Sequence, residues 1–95
     1  MAKGYVIVNA NVTDPEKYAA YRPLAAAAIE AFGGRYLARG GKSETLEGSL
    51  LPRGVVIEFD DYETAVKWYN SAGYEAARSV RDGAAEMHMM VVEGV

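Results

Sequence analysis

The stretch Arg53–Asp82, RGVVIEFDDYETAVKWYNSAGYEAARSVRD, constrains the fold of this chain more than any other. Val55–Asp60 has the two-residue alternation of a strand, with one charge, Glu58, set inside it. Asp60 with Glu63, or Asp61 with Thr64, then caps a helix over Tyr62–Asn70. Its expected buried stripe is Tyr62, Ala65, Val66 and Tyr69. Asn70–Ser71–Ala72–Gly73 breaks that helix, and a short one follows over Tyr74–Arg81, closed by Gly83. A strand that feeds helices lying back across it needs partner strands, and the rest of the chain must supply them.

Three further segments do so. Residues 4–12, GYVIVNANV, alternate Val6, Val8, Ala10 and Val12 on one face with Tyr5, Ile7, Asn9 and Asn11 on the other. Residues 35–39, RYLAR, and 85–93, AEMHMMVVE, read as two more strands. Between the first and second lies a helix that starts at Thr13–Asp14–Pro15–Glu16, with Thr13 and Glu16 as a capping box, and ends at Gly33–Gly34. Pro23 removes an N–H inside it and crowds the carbonyl of Ala19, so a kink or short break is expected near Tyr21–Pro23. Gly40–Gly41 marks a turn or bulge, Lys42–Glu47 continues as a bent strand or hairpin arm, and Gly48–Gly54 is a loop. The order is βαββαβ with a split second helix. Right-handed crossovers turn it into a four-stranded antiparallel sheet with the helices on one face, the α+β ferredoxin-like arrangement, as a single domain over 1–95.

One face of that sheet is left bare. Its expected members are Tyr5, Ile7, Asn9, Leu37, Arg39, Val56, Glu58, His88, Met90 and Val92, too apolar together to face water. A second copy of the same face is the expected cover, making a homodimer. With strand order four, one, three, two, His88, Asn9, Glu58 and Arg39 fall on successive strands. A carboxylate in such a place needs a partner, and Arg39, Asn9 and His88 are the candidates. The cluster reads either as a proton-handling, anion-orienting site at the dimer seam or as a salt bridge that fixes the pairing geometry. Tyr18, Tyr21, Trp68, Tyr69 and Tyr74 read either as the lining of a cleft between helices and sheet or as amphipathic core edges. Arg39–Gly40–Gly41 fits a bulge turn better than a phosphate loop, since no helix starts there.

Composition removes several classes of function. The net charge of −3 and the scattered basic residues give no footprint for nucleic acid or an anionic membrane. There is no cysteine, so no thiolate chemistry and no disulfide, and a single histidine rules out a multi-histidine metal site within one subunit. No dinucleotide or Walker fingerprint occurs, and no cofactor is expected. Residues 1–12 lack the features of a signal peptide, and the cytoplasm is the expected location.

From Gly4 to Gly94 the chain resembles the domain-of-unknown-function 1330 family. The resemblance is carried by GYVIV, DPEKYAAY, RYLARGGKSETLEG, PRGVVIEFDDYETAVKWYNS, YEAAR and VVEG. It departs at Pro23 and at Ala72–Gly73, where a Ser-Pro-Glu-like turn is common. The resemblance implies a subunit of the dimeric α/β-barrel superfamily, which also holds antibiotic-biosynthesis-type monooxygenases and muconolactone isomerases. It carries over no catalytic residue, because the family has no established activity. Two functions are therefore expected. One is small-molecule binding, with cofactor-free proton transfer or oxygenase-like chemistry in which Glu58, His88 and Arg39 act and Asn9, Tyr21, Tyr69 and Tyr74 position the ligand. The other is a non-catalytic dimerisation or ligand-sensing module.

Overall fold

The computed structural model describes residues 2–95. The elements are β1 (Gly4–Val12), α1 (Pro15–Ala31), β2 (Arg35–Arg39), β3 (Arg53–Phe59), α2 (Tyr62–Tyr69), α3 (Ala72–Val80) and β4 (Ala85–Glu93). The strands form one antiparallel sheet in the order β2-β3-β1-β4, so the expected ferredoxin-like topology holds. Every expected element is present except the arm over Lys42–Glu47, which has no regular structure.

The helix starts are fixed by side-chain oxygens. Asp14, not Thr13, caps α1 and accepts from the backbone N–H of Lys17 at 3.2 Å. Asp61 caps α2 through the Thr64 N–H, and Ser71 caps α3 through the Tyr74 N–H. Helix α1 runs unbroken through Pro23, contrary to the expected interruption. Pro23 and the neighbouring Arg22 and Leu24 are exposed, as is Ala19, so the proline sits on the solvent side and the carbonyl it frees is not buried.

Val6, Val8, Ala10, Val55, Ile57 and Phe59 point from the sheet into the core, as their alternation requires. From the helices come Tyr18, Tyr21, Ala25, Ala28 and Ile29 of α1, Ala65 and Trp68 of α2, and Tyr74 and Ala77 of α3. Trp68 is the centre of this layer, with ring centroids 4.2 Å from Tyr74 and 5.4 Å from Phe59. The α2 stripe is therefore turned from the expected one. Trp68 is buried, Tyr62 is exposed, and Tyr69 is half-buried. Gly4 lets β1 pass close under the start of α2, where any Cβ would collide with the backbone carbonyl of Asp61.

Helix α1 packs chiefly against α3, whereas α2 lies directly on the sheet. That difference opens a cleft between α1 and the β2–β3 edge.

Candidate functional site

Strand β2 decides where the charged groups go. Arg35 pairs with Glu58 and Tyr36 with Ile57, and then the register shifts so that Ala38 faces Val56 and Arg39 faces Val55. This irregularity at Leu37 inverts the alternation for the last two residues of the strand. Arg39 was expected on the bare face beside Glu58. It lies instead on the helix side, its guanidinium 4.3 Å from the centre of the Tyr36 ring. Arg35 takes the place expected for Arg39.

On the bare face, Glu58 is held from two sides. Tyr5 donates its hydroxyl to Oε2 at 2.9 Å, and Arg35 donates Nε to Oε1 at 2.7 Å with Nη2 at 2.6 Å from the same oxygen. The Tyr5 hydroxyl and then the Arg35 guanidinium hold the Glu58 carboxyl below its ordinary value of 4.5, and the same hydrogen bond raises the Tyr5 phenol. A lowered folded value means that the pair adds stability above the ordinary carboxylate range and loses it as pH falls through the depressed value. Glu58→Gln should therefore lower the thermal midpoint at neutral pH. The gap from wild type should close as pH falls below the ordinary carboxylate range, read by circular dichroism melts over an acid series.

The other expected members of the seam cluster, His88 and Asn9, share the bare face but lie at a different height from Glu58. His88 faces Asn9 across β1 and β4, four residues along β1 from Tyr5, or roughly 13 Å. It contacts Glu86, with 3.3 Å between Nε2 and Oε2, and is exposed. Asn9 is occupied by the chain itself. Its amide nitrogen donates to the carbonyls of Leu51 and Arg53 at 2.8 and 3.0 Å, and its oxygen accepts from the Leu51 N–H at 2.8 Å. These bonds strap the 40–52 loop to β1. Asn9→Ala removes all three, and faster tryptic nicking at Lys42 is the expected result, with a stability loss of about 1–2 kcal/mol. An unchanged nicking rate would show that the loop is held by other contacts.

The cleft gathers a different set. Tyr18, Tyr21 and Arg22 of α1, Tyr36 and Arg39 of β2, Arg53 of β3, Trp68 of α2 and Tyr74 of α3 line it above a floor that includes Val8, Val55, Met87 and Met89. Its enclosed space is about 30 Å³, although the hollow reaches about 400 Å³ when its open mouth is counted. The Tyr21 and Tyr74 hydroxyls meet at 2.6 Å. Burial, and then the neighbouring Tyr74 phenol, push the Tyr21 hydroxyl well above the ordinary tyrosine range, so it stays protonated. Burial also raises Tyr36. Trp68 is 1% exposed, and its indole N–H has no acceptor among the described residues.

Of the residues expected at a site or along a cleft, this one therefore brings together Arg39, Tyr18, Tyr21, Trp68 and Tyr74. Tyr69 sits just outside, under the guanidinium of Arg78 at 4.3 Å, and lines a neighbouring groove with Met89 and Met90. Glu58, His88 and Asn9 are on the opposite side of the sheet from Tyr21 and Tyr74. Arg22, Tyr36 and Arg53 were not singled out from sequence. Only the Arg39–Gly40–Gly41 bulge signal pointed to this part of the chain. Gly40 has φ +66°, and a Cβ there would strike the Arg53 guanidinium, so this glycine both makes the turn and leaves room for that arginine.

No helix is long and apolar enough to cross a membrane among the described residues. The family model for DUF1330, a domain of unknown function, matches residues 3–95, and the chain belongs to that family. No curated protein matches the sequence. Among solved structures, a protein of unknown function from Rhodopseudomonas palustris is similar, with a TM-score of 0.77 at 16% identity over 99% of this chain and 83% of that one. SnoaB from Streptomyces nogalater, described as a cofactor-independent oxygenase, gives 0.66 at 9% identity over 97% of this chain and 92% of its own. A dimeric ferredoxin-like protein of unknown function from Thermobifida fusca gives 0.58 at 10% identity, covering 99% and 92%. At these identities the likeness shows a shared fold.

Proposed function

We propose that the protein is a homodimer-forming subunit that binds a small organic molecule in the cleft between α1 and the β2–β3 edge. The observation that carries this reading is a buried donor without an acceptor among the described residues, the indole N–H of Trp68, on a side chain that lines this cleft together with Tyr18, Tyr21, Tyr36 and Tyr74. A buried donor without a partner costs about 1–3 kcal/mol, and an occupant with an oxygen at that point would recover it. Flat rings and a few convergent polar groups are the usual lining of a small-molecule site.

If the bound molecule reacts, the cleft offers donors rather than a base. In the Tyr21–Tyr74 pair one hydroxyl donates to the other and the second O–H is left to donate to an oxyanion, Arg39 can balance its charge, and neither a carboxylate nor a histidine is among the described residues that line the space. Cofactor-free chemistry of this kind would depend on a proton acceptor carried by the substrate itself. Glu58, on the other face and fully engaged, fits better as part of the contact between copies. The bare face supports the dimer, with Ile7, Leu37, Met90 and Val92 all exposed. A structural neighbour described as dimeric supports it too. The narrowness of the cleft favours a second reading, a module whose aromatic layer is only core.

The chain has one tryptophan, so its fluorescence reports on the cleft directly. A fragment library screened by Trp68 quenching should yield saturable hits that also raise the melting temperature, equally in wild type and Glu58→Gln. No saturable hit among ring-containing fragments would favour the non-catalytic module. Hits lost in Glu58→Gln would move the site to the bare face.

A further inference from the structure

We infer that the cleft's occupant is an organic oxyanion on a flat conjugated ring, with Arg53 and Arg39 as its charged partners and Arg22 at the rim. This rests on the small-molecule reading above and adds the chemical class of the ligand. The chain as a whole is acidic, yet three arginines and no Asp or Glu are among the described residues that line the cleft. Among the described residues none of the three is ion-paired, whereas Arg35 on the bare face holds Glu58 at 2.6 Å. Arg39 and Arg53 instead rest against tyrosine rings, with guanidinium carbons 4.3 Å from the Tyr36 centroid and 5.6 Å from Tyr18. Arg22 and Arg39 are solvated, but Arg53 is half-buried beside an aromatic wall with no counter-ion among the described residues, which leaves its donors open to an anion.

The unmet hydrogen-bonding capacity has one sign. Among the described residues, each buried side-chain atom without a partner is a donor, and two of these, Arg53 Nε and Trp68 Nε1, belong to residues lining this cleft. A complementary molecule must bring acceptor oxygens, and the guanidinium fork matches a carboxylate or enolate-type oxyanion. The tyrosine and indole faces around it suit a flat ring.

Two local features of the backbone serve the same end. The register shift in β2 turns Arg39 inward, and the side-chain-free Gly40 clears the space that Arg53 fills. The enclosed space of about 30 Å³ is below that needed for a ring, so the mouth must widen on binding. Arg22 and Arg39, which stand there, are exposed side chains that can swing without disturbing the core.

The test uses nitrogen-15-labelled protein, in which the single tryptophan gives one indole N–H signal. Benzoate and its neutral counterpart benzamide are titrated at neutral pH and fixed ionic strength, with sulfate as a ring-free anion. Benzoate should shift the indole signal saturably with a Kd at least about tenfold below that of benzamide, and sulfate should shift it far less. Arg53→Gln and Arg39→Gln should each abolish most of that preference while leaving benzamide affinity within about twofold. Should Arg53→Gln fail to fold, the exposed Arg39 carries the comparison alone. Equal affinity for acid and amide, or an undiminished preference in the Arg39 variant, would overturn the anion assignment and leave the small-molecule reading standing. A sulfate response as large as that of benzoate would overturn the ring. An indole signal that none of the three moves would remove both readings.

Discussion

Ile7→Asp is expected to abolish the proposed homodimer and leave the protein monomeric at micromolar concentration. Ile7 lies on β1, a central strand, directly between Val56 of β3 and Met90 of β4 on the bare face. Two copies pairing through that face would bury the new carboxylate against apolar side chains with no cation within the same stretch. An unpaired buried charge costs about 3–5 kcal/mol, and a two-fold contact counts it twice. The dimer constant should weaken by at least about a thousandfold. In the separated subunit the introduced carboxylate would meet water, so the fold itself should survive. Sedimentation equilibrium at micromolar concentration reads the outcome, with Glu63→Gln on the exposed side of α2 as a control that stays dimeric. A wild-type protein that sediments as a monomer would remove the dimer from the account.

The second large effect belongs to Trp68. Trp68→Ala deletes the side chain that joins Phe59 of the sheet to Tyr74 of α3, and the loss should be about 3–5 kcal/mol. In a domain of this size that is a fall of more than roughly 12 °C in melting temperature. Trp68→Phe keeps most of the buried area and removes the orphan N–H, so it should cost far less. The same variant should bind cleft ligands more weakly, because the donor that recognises them is gone. A Trp68→Phe protein with unimpaired affinity would mean that the indole N–H is not part of the site.

Much of the fold could be read from alternation and capping. The faces of β1 and β3 are correctly divided by the two-residue period, and the strand order follows from the right-handed crossovers. The site was less legible, for a definite reason. Arg35, Leu37 and Arg39 alternate in the sequence as one face, and nothing in RYLAR marks the shift that sends Arg35 to Glu58 and Arg39 to the other side. A register change depends on pairing with β3 and on Gly40, whose N–H bonds to the Gly54 carbonyl at 2.8 Å, not on the strand's own residues. Similarly, Asn9 looked like a free polar group on an apolar face because its partners, Leu51 and Arg53, are more than forty residues away. The helical period of α2 was sound, but its phase was offset, so Trp68 took the buried place assigned to Tyr69. Tyr21 and Tyr74 fared better, because each lies on the apolar face of its own helix and those faces meet.

The most direct test of the central claim is a crystal structure of the protein soaked with a compound that saturably quenches Trp68. The compound is expected between α1 and the β2–β3 edge, with an oxygen within hydrogen-bond distance of the Trp68 indole nitrogen and Arg22 or Arg39 displaced at the mouth. Density on the bare face beside Glu58 or His88, with the cleft closed and unchanged, would contradict that claim.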